Sequence, residues 1–166
     1  MQWRCFPLEQ VNSAEGPDWK LWEQPPEYRS RGRPAFLAAL AAKRQGPEAF
    51  DRFHYSLLRA KWEDNLDHGK RETHLAVAER AGLDCARFAQ DVDDPKLLAE
   101  IGRDYEEGRE RHGVFGTPTF VFPNGGAFYL KLKRDAPAED AVPFWQEFLR
   151  TCRDRPHVVE LKRPTS

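Results

Sequence analysis

Residues 113–126 read GVFGTPTFVFPNGG, and the interpretation of the whole chain starts from this stretch. The pair Thr117-Pro118 leads directly into the run 119–122, which holds the aromatic and β-branched residues that favour strands. Proline is tolerated at the start of a strand because its missing N–H removes no interior ladder bond there. The stretch therefore predicts a β-strand that begins at Pro118.

A turn signal and a second strand pattern follow. Asn124-Gly125 predicts a short hairpin turn, because both residue types tolerate positive φ. Apolar and polar residues then alternate from 128 to 133, as expected of a return strand with one face in water. Together the two runs predict a β-hairpin.

Residues 34–112 have the apolar spacing and the punctuation of helices. Prolines in first turns, aspartate caps and glycines after the last turn predict five helices. They are a helix from Pro34 to Gly46, one from Pro47 through Trp62, one over about 70–81, a short one after Asp84, and one after Asp94-Pro95. In the second helix we expect one buried face formed by Phe50, Phe53, Leu57, Leu58 and Trp62. The charged stretch 103–111 favours a solvated helix.

The two ends of the chain are less regular. Residues 2–8 predict a strand with apolar groups on both faces, and 9–33 predict an irregular segment whose Trp19, Trp22 and Tyr28 staple it to the body or line a groove. Its cluster of Arg29, Arg31 and Arg33 favours a solvated surface over an anion site. Residues 140–153 predict a last helix, and we expect the tail 158–161 to lie along the body or add a strand.

Composition bounds the class of protein. The 166 residues carry 26 Lys and Arg against 27 Asp and Glu, so charge gives no reason to expect nucleic acid or an anionic membrane as partner. No apolar run approaches the ~20 residues that span a bilayer, and no secretory signal is visible. Three scattered cysteines do not form a disulfide scaffold, which predicts a reducing, cytoplasmic location.

Three segments together resemble one family. The run 113–122 with its hairpin resembles the cis-proline loop of the DsbA-like family of thioredoxin folds, in its branch of cytoplasmic relatives. WRCFPL at 3–8 resembles the second strand of that core, and the five helices resemble its helical insertion. The resemblance implies an α/β thioredoxin-like fold in a single domain over 1–166. Residues 1–33 and 113–166 would form the thioredoxin-like part and 34–112 the insertion.

The chemistry of that family has no visible counterpart here. Disulfide exchange uses a Cys-x-x-Cys at a helix N-terminus, where the helix dipole lowers a thiol pKa. Cys5, Cys85 and Cys152 form no such motif, and we expect all three to be inert, Cys5 and Cys152 because they lie in the core. The first strand and helix of the resemblance, which would carry the motif, have no counterpart before residue 3.

A thioredoxin sheet without its central first strand would leave two rows of backbone groups unpaired. Each buried, unmade hydrogen bond costs roughly 1–3 kcal/mol, against a domain stability of about 5–15 kcal/mol. Three remedies follow. The natural gene product is longer, a partner chain supplies the strand, or 2–8 or 158–161 moves into the slot. We expect the first for the natural protein, and the third or a homodimer for the isolated chain.

The resemblance implies that Thr117 and Pro118 contact an extended peptide or protein thiol substrate. Without the resemblance, the dipeptide has only the structural role of turning the chain into its strand. The predicted function is that of a DsbA-like thiol–disulfide oxidoreductase relative, inactive in this chain. The alternatives are a redox-inactive peptide-binding module or a relative of glutathione-dependent isomerases. No cofactor or metal is predicted. Asp67, His68, Glu72 and His74 match no standard zinc spacing, and His54 is expected in the core.

Overall fold

The computed structural model describes residues 1–16, 18–133 and 135–162, so Pro17 of the irregular segment lies outside the described part. The chain divides into two compact units, Met1–Glu106 and Glu107–Ser166, and its organisation as one domain stays a prediction. Helices among the described residues are α1 Leu8–Val11, α2 Arg33–Lys43, α3 Pro47–Trp62, α4 Arg71–Arg80, α5 Cys85–Asp91, α6 Lys96–His112 and α7 Ala141–Cys152. Every one of them is too short or too polar to cross a bilayer.

The helices begin where the sequence predicts. Prolines occupy the first turns of α2 and α3, and Gly46, between them, has a φ of 104° that favours glycine. α5 and α6 follow aspartates whose carboxylates accept backbone N–H groups, Asp84 from Arg87 at 3.0 Å and Asp94 from Lys96 at 2.9 Å. The predicted helical segment 34–112 is therefore confirmed.

The first unit has a fully buried core. Phe53 of α3 and Phe88 of α5 are wholly inaccessible, with ring centroids 5.2 Å apart. The predicted buried face of α3 is partly wrong, because Leu58 is 42% and Trp62 68% exposed. Successive helical residues turn by about 100°, so a residue directly after Leu57 already points away from the Phe53–Leu57 stripe.

The strand predicted at residues 2–8 is absent, and α1 begins at Leu8 instead. Side chains satisfy the backbone there. The N–H of Cys5 donates to the Asp104 carboxylate at 2.9 Å, and the Lys43 ammonium donates to the carbonyl of Trp3. A strand requires a paired neighbour, and these groups are already occupied by side chains of helices. Residues 2–8 therefore do not fill the predicted slot.

Arg33 corrects the prediction of a solvated basic cluster. Its residue is only 6% exposed, and its guanidinium donates to five backbone carbonyls of the preceding segment. The acceptors are those of Leu21, Gln24, Pro25, Pro26 and Tyr28, at 2.8–3.5 Å. An irregular segment cannot pair its own carbonyls in a ladder, so a buried fork of N–H donors replaces the ladder.

The predicted hairpin is present in the second unit. β1 Thr119–Val121 pairs antiparallel with β2 Ala127–Tyr129, with Phe120 opposite Phe128. Contrary to the prediction, the turn is not centred on Asn124-Gly125. The N–H of Gly125 donates to the Phe122 carbonyl, and Gly125 has a positive φ whereas Asn124 does not. Pro123 and Asn124 are thus the central turn residues, and Gly125 follows as the left-handed residue of a bulge.

Aromatic side chains of the hairpin pack on α7. Phe148 is 9% exposed, and its ring lies 5.3 Å from Phe120 and 5.5 Å from Trp145. The predicted last helix is confirmed by α7. The tail prediction is wrong: residues 158–161 form no strand, and Val159 is 87% exposed.

Candidate functional site

Thr117 and Pro118, the residues implied as substrate contacts, lie exposed at the start of β1. The peptide bond between them is cis. The Pro118 carbonyl accepts the N–H of Leu130 at 3.0 Å, which extends the hairpin pairing by one step. The backbone N–H and C=O of Thr117 have no hydrogen-bond partner among the described residues.

The hairpin has an open outer edge. Pro118, Phe120 and Phe122 direct their backbone groups toward the second strand, as the bond from the Phe122 N–H to the Gly126 carbonyl at 2.8 Å shows. Alternate residues of a strand direct these groups to opposite sides. Thr119 and Val121 therefore carry outward-directed N–H and C=O groups. These groups, like the backbone groups of Thr117, are unpaired within the described part of the chain.

The start of this edge is held in place by local contacts. The Thr119 hydroxyl donates to the Gly116 carbonyl at 2.7 Å. A Cβ at Gly116 would lie 3.0 Å from the Tyr129 ring, so a larger residue there would require the ring to shift. The Phe115 ring packs 5.1 Å from the same tyrosine and is 61% exposed, which leaves an aromatic surface beside Thr117.

Two of the three cysteines are in core positions, as predicted. Cys5 is 5% and Cys152 3% exposed. Burial, with the Asp104 carboxylate, raises the pKa of Cys5 to about 12, and burial raises the pKa of Cys152. A thiol that stays protonated is a poor nucleophile, so neither residue suits disulfide exchange. Cys85 is exposed, and its thiol donates to the Leu83 carbonyl at 3.6 Å.

The histidine of α4, His74, has a structural role. His74 is 2% exposed, and burial lowers its pKa below the ordinary 6.5. Its Nε2 lies 2.8 Å from the His68 carbonyl, an acceptor, so this nitrogen carries the proton. His54 stacks between Trp3 and Phe50. In the described ranges no three His, Cys, Asp or Glu side chains are grouped to hold a metal ion.

Sequence reasoning missed Asp104. It lies within the charged stretch predicted to be solvated, yet it is 3% exposed. Its carboxylate accepts the guanidinium of Arg4 and the N–H of Cys5, both at 2.9 Å. The spacing in the sequence could have indicated its burial, because Asp104 is three residues after the buried Ile101 and shares its helical face.

Comparison with known proteins settles the family. A family model described as the DSBA-like thioredoxin domain matches residues 5–143. The chain belongs to this family. A curated relative of the DsbA-like chain is the ClpXP adapter protein SpxH of Halalkalibacterium halodurans, which is 34% identical over 88 residues. That match covers 53% of the DsbA-like chain and 28% of the relative.

The predicted fold class is confirmed by this membership, together with the mixed α/β structure. In the DsbA-like chain the helices from α2 to α6 come before a small two-stranded sheet, as expected of a thioredoxin-like fold with a helical insertion. Chemically, the site at Thr117 and Pro118 offers backbone donors and acceptors beside an aromatic pair. Such an edge can accept another strand.

Proposed function

We propose that the DsbA-like chain binds an extended polypeptide segment along the outer edge of β1. The observation that carries the proposal is the outward N–H and C=O groups of Thr119 and Val121, which, with the backbone groups of Thr117, are unpaired among the described residues. An extended segment that adds beside this row forms main-chain hydrogen bonds, whereas side-chain contacts select its sequence.

The surroundings of the edge support a polypeptide ligand. Phe115 and Tyr129 offer an exposed aromatic surface, and aromatic residues contribute much of the binding energy at protein interfaces. The relative's description as an adapter protein agrees with a role in holding another polypeptide. A client protein, a thiol-bearing substrate, or a strand from a second copy of this chain would all present the required extended backbone.

Disulfide exchange is the activity expected from the wider resemblance, and we propose that the cysteines of this chain do not perform it. The sequence holds no Cys-x-x-Cys, and two of its three thiols are buried with raised pKa values. Glutathione-dependent isomerisation likewise needs an activated serine or cysteine, and the stretch 113–126 around Thr117 and Pro118 holds neither. Binding without exchange is therefore the function that this arrangement supports best.

The binding proposal is tested with Val121→Pro and a matched control, Ala127→Pro. Each proline removes an N–H that points away from the other strand, so the hairpin ladder is kept in both variants. The probe is fluorescein-labelled, S-carboxymethylated insulin B chain, followed by fluorescence anisotropy. We expect Val121→Pro to weaken binding about tenfold and Ala127→Pro to leave it within about twofold, where tenfold corresponds to about 1.4 kcal/mol. Equal losses in both variants would place the ligand elsewhere.

Exchange is tested separately, with insulin reduction in the presence of dithiothreitol. We expect no turnover above the background of the reductant. Iodoacetamide labelling of the folded chain at pH 8 should modify Cys85 and spare Cys5 and Cys152, because only Cys85 is exposed. Robust turnover that is lost in a Cys85→Ser variant would refute binding without exchange.

A further inference from the structure

A basic groove on the first unit is unexplained by peptide binding. It has a volume of about 480 Å³ and lies between the segment 29–31, the end of α3 and the turn before α4. Its lining includes four cationic side chains, Arg29, Arg31, Lys61 and Lys70, together with Asp67 and His68. We name this set the basic groove.

These four cations form no ion pair or hydrogen bond with the part of the chain that the structure describes. In Met1–Glu106, apart from the undescribed Pro17, most lysine and arginine side chains form an ion pair or a hydrogen bond with the protein. The described side chains that form neither are Arg29, Arg31, Lys61, Lys70 and Lys96. Four of these five line the basic groove, so unneutralised positive charge is concentrated at one place.

The backbone of both walls is fixed before any ligand arrives. Ser30, between the two arginines, accepts the N–H of Arg33 at 2.9 Å and donates its hydroxyl proton to Glu9 at 2.6 Å. On the facing wall, the His68 carbonyl is bonded to His74 at 2.8 Å. A site whose walls are already ordered loses less entropy when a ligand binds.

Negative charge is nearly absent from the basic groove. Asp67 is its one carboxylate, and Oδ1 of that residue already accepts the N–H of Gly69 at 2.9 Å. His68 adds a ring nitrogen, Nδ1, that is buried without a hydrogen-bond partner among the described residues. The groove therefore offers several donors and a net positive potential to an anion.

We propose that the basic groove binds a phosphate chain of two or more groups, either free or as the tail of a nucleotide. Arginine forks match the geometry of phosphate oxygens and lysines act as point charges. A chain of two phosphate groups carries a total charge of about −3 near neutral pH, which balances the four cations and the single carboxylate of the groove.

The test is isothermal titration of the whole chain with sodium pyrophosphate, ADP, AMP and a hexaglutamate peptide at one ionic strength. The variant Arg31→Gln/Lys61→Gln removes one cation from each wall. Lys96→Gln is the matched control, because the Lys96 side chain also forms no ion pair or hydrogen bond with the described residues but lies outside the groove. We expect pyrophosphate or ADP to bind better than AMP, the double variant to lose about tenfold in affinity, and the control to change by less than about twofold.

The outcomes separate the ligand classes. Tighter binding of ADP than of pyrophosphate supports a nucleotide tail, and the reverse order supports a free phosphate chain. Tighter binding of hexaglutamate than of both would overturn the proposal in favour of an acidic peptide. Equal losses in the double variant and in Lys96→Gln, or no binding at all, would also overturn it. Shifts of the Gly69 and Lys70 amide signals on titration should locate the ligand independently.

Discussion

The two units of the chain differ in how completely they bury their apolar residues. In Met1–Glu106 the core side chains of Phe53, Phe88 and Leu97 are wholly inaccessible. Among the described residues of Glu107–Ser166 the buried apolar side chains are Val114, Phe148 and Cys152, and the aromatic residues around Phe148 remain half-buried. The first unit closes its core with its own helices, whereas the second packs a two-stranded hairpin on one helix.

This difference shows where the chain has capacity to bind. A two-stranded hairpin is marginal by itself, and additional strands or a helix are needed to stabilise it. Here the helix α7 covers the aromatic face, while the outer edge of β1 keeps its backbone groups open. The second unit, whose sheet edge is open, therefore carries the proposed peptide-binding edge. The first unit, whose core is closed, carries the basic groove on its surface.

The largest expected effect compares the two cores directly. Phe53→Ala should lower the free energy of unfolding by about 4 kcal/mol, because it opens a cavity in a closed core. Phe148→Ala should cost about 2 kcal/mol, because its half-buried neighbours can collapse or admit water. Urea unfolding followed by circular dichroism measures both. A cost for Phe148→Ala equal to that for Phe53→Ala would contradict the contrast between the units.

The second prediction concerns how the first unit holds its irregular segment. Arg33→Met keeps much of the apolar stem but leaves five carbonyls without their donor, so we expect a loss of about 3 kcal/mol. Arg31→Met is the control, since Arg31 is exposed and forms no ion pair or hydrogen bond with the described protein, and it should change stability by less than about 0.5 kcal/mol. Urea midpoints of the two variants give the comparison. Similar midpoints would mean that the segment is held by its aromatic residues instead.

Local signals made the hairpin and the helices predictable. Glycine and proline positions act on the backbone of their immediate neighbours, so Gly46, Pro47 and Pro118 mark boundaries that packing does not move. The turn was misread in detail because Pro123-Asn124 fits a longer turn as well as Asn124-Gly125 fits a shorter one.

The wrong predictions concern residues whose hydrogen-bond partners are distant in sequence. The sequence does not distinguish Arg33 from Arg29 and Arg31, since all three are arginines of one short segment. Arg33 is buried because its guanidinium donates to carbonyls that the folded loop brings together. Residues 2–8 have the pattern of a strand, but Asp104, about a hundred residues later, takes the N–H of Cys5. The outer edge of β1 was anticipated only at Thr117 and Pro118, because its extent depends on register, which the turn decides.

The third prediction tests whether the smaller unit depends on polar links. The Asn124 side chain donates to the Arg153 carbonyl just after α7 at 2.9 Å and accepts the N–H of Gly126 at 3.1 Å. Asn124→Ala removes both bonds, and we expect a loss of about 1 kcal/mol. Asn12→Ala, which removes one exposed bond to Leu8 in the first unit, should cost less. Hydrogen exchange of the hairpin amides distinguishes the two. Unchanged protection of the hairpin in Asn124→Ala would show that its aromatic packing is sufficient.

The smallest expected effect is a dependence on pH that belongs to the first unit. Burial lowers the pKa values of His54, His68 and His74 below 6.5, so the unfolded chain binds protons more readily than the folded one. The contribution of these histidines to the free energy of unfolding should therefore be fully present above their pKa in the unfolded chain. It should be lost as the pH decreases through that pKa toward their lower pKa values in the folded chain. His74→Gln keeps a donor at the position of Nε2 and should flatten this decline, measured as urea midpoints between pH 7.5 and pH 5. Stability that increases on acidification in that range would contradict the prediction for all three histidines, and a slope unchanged in His74→Gln would contradict it for His74.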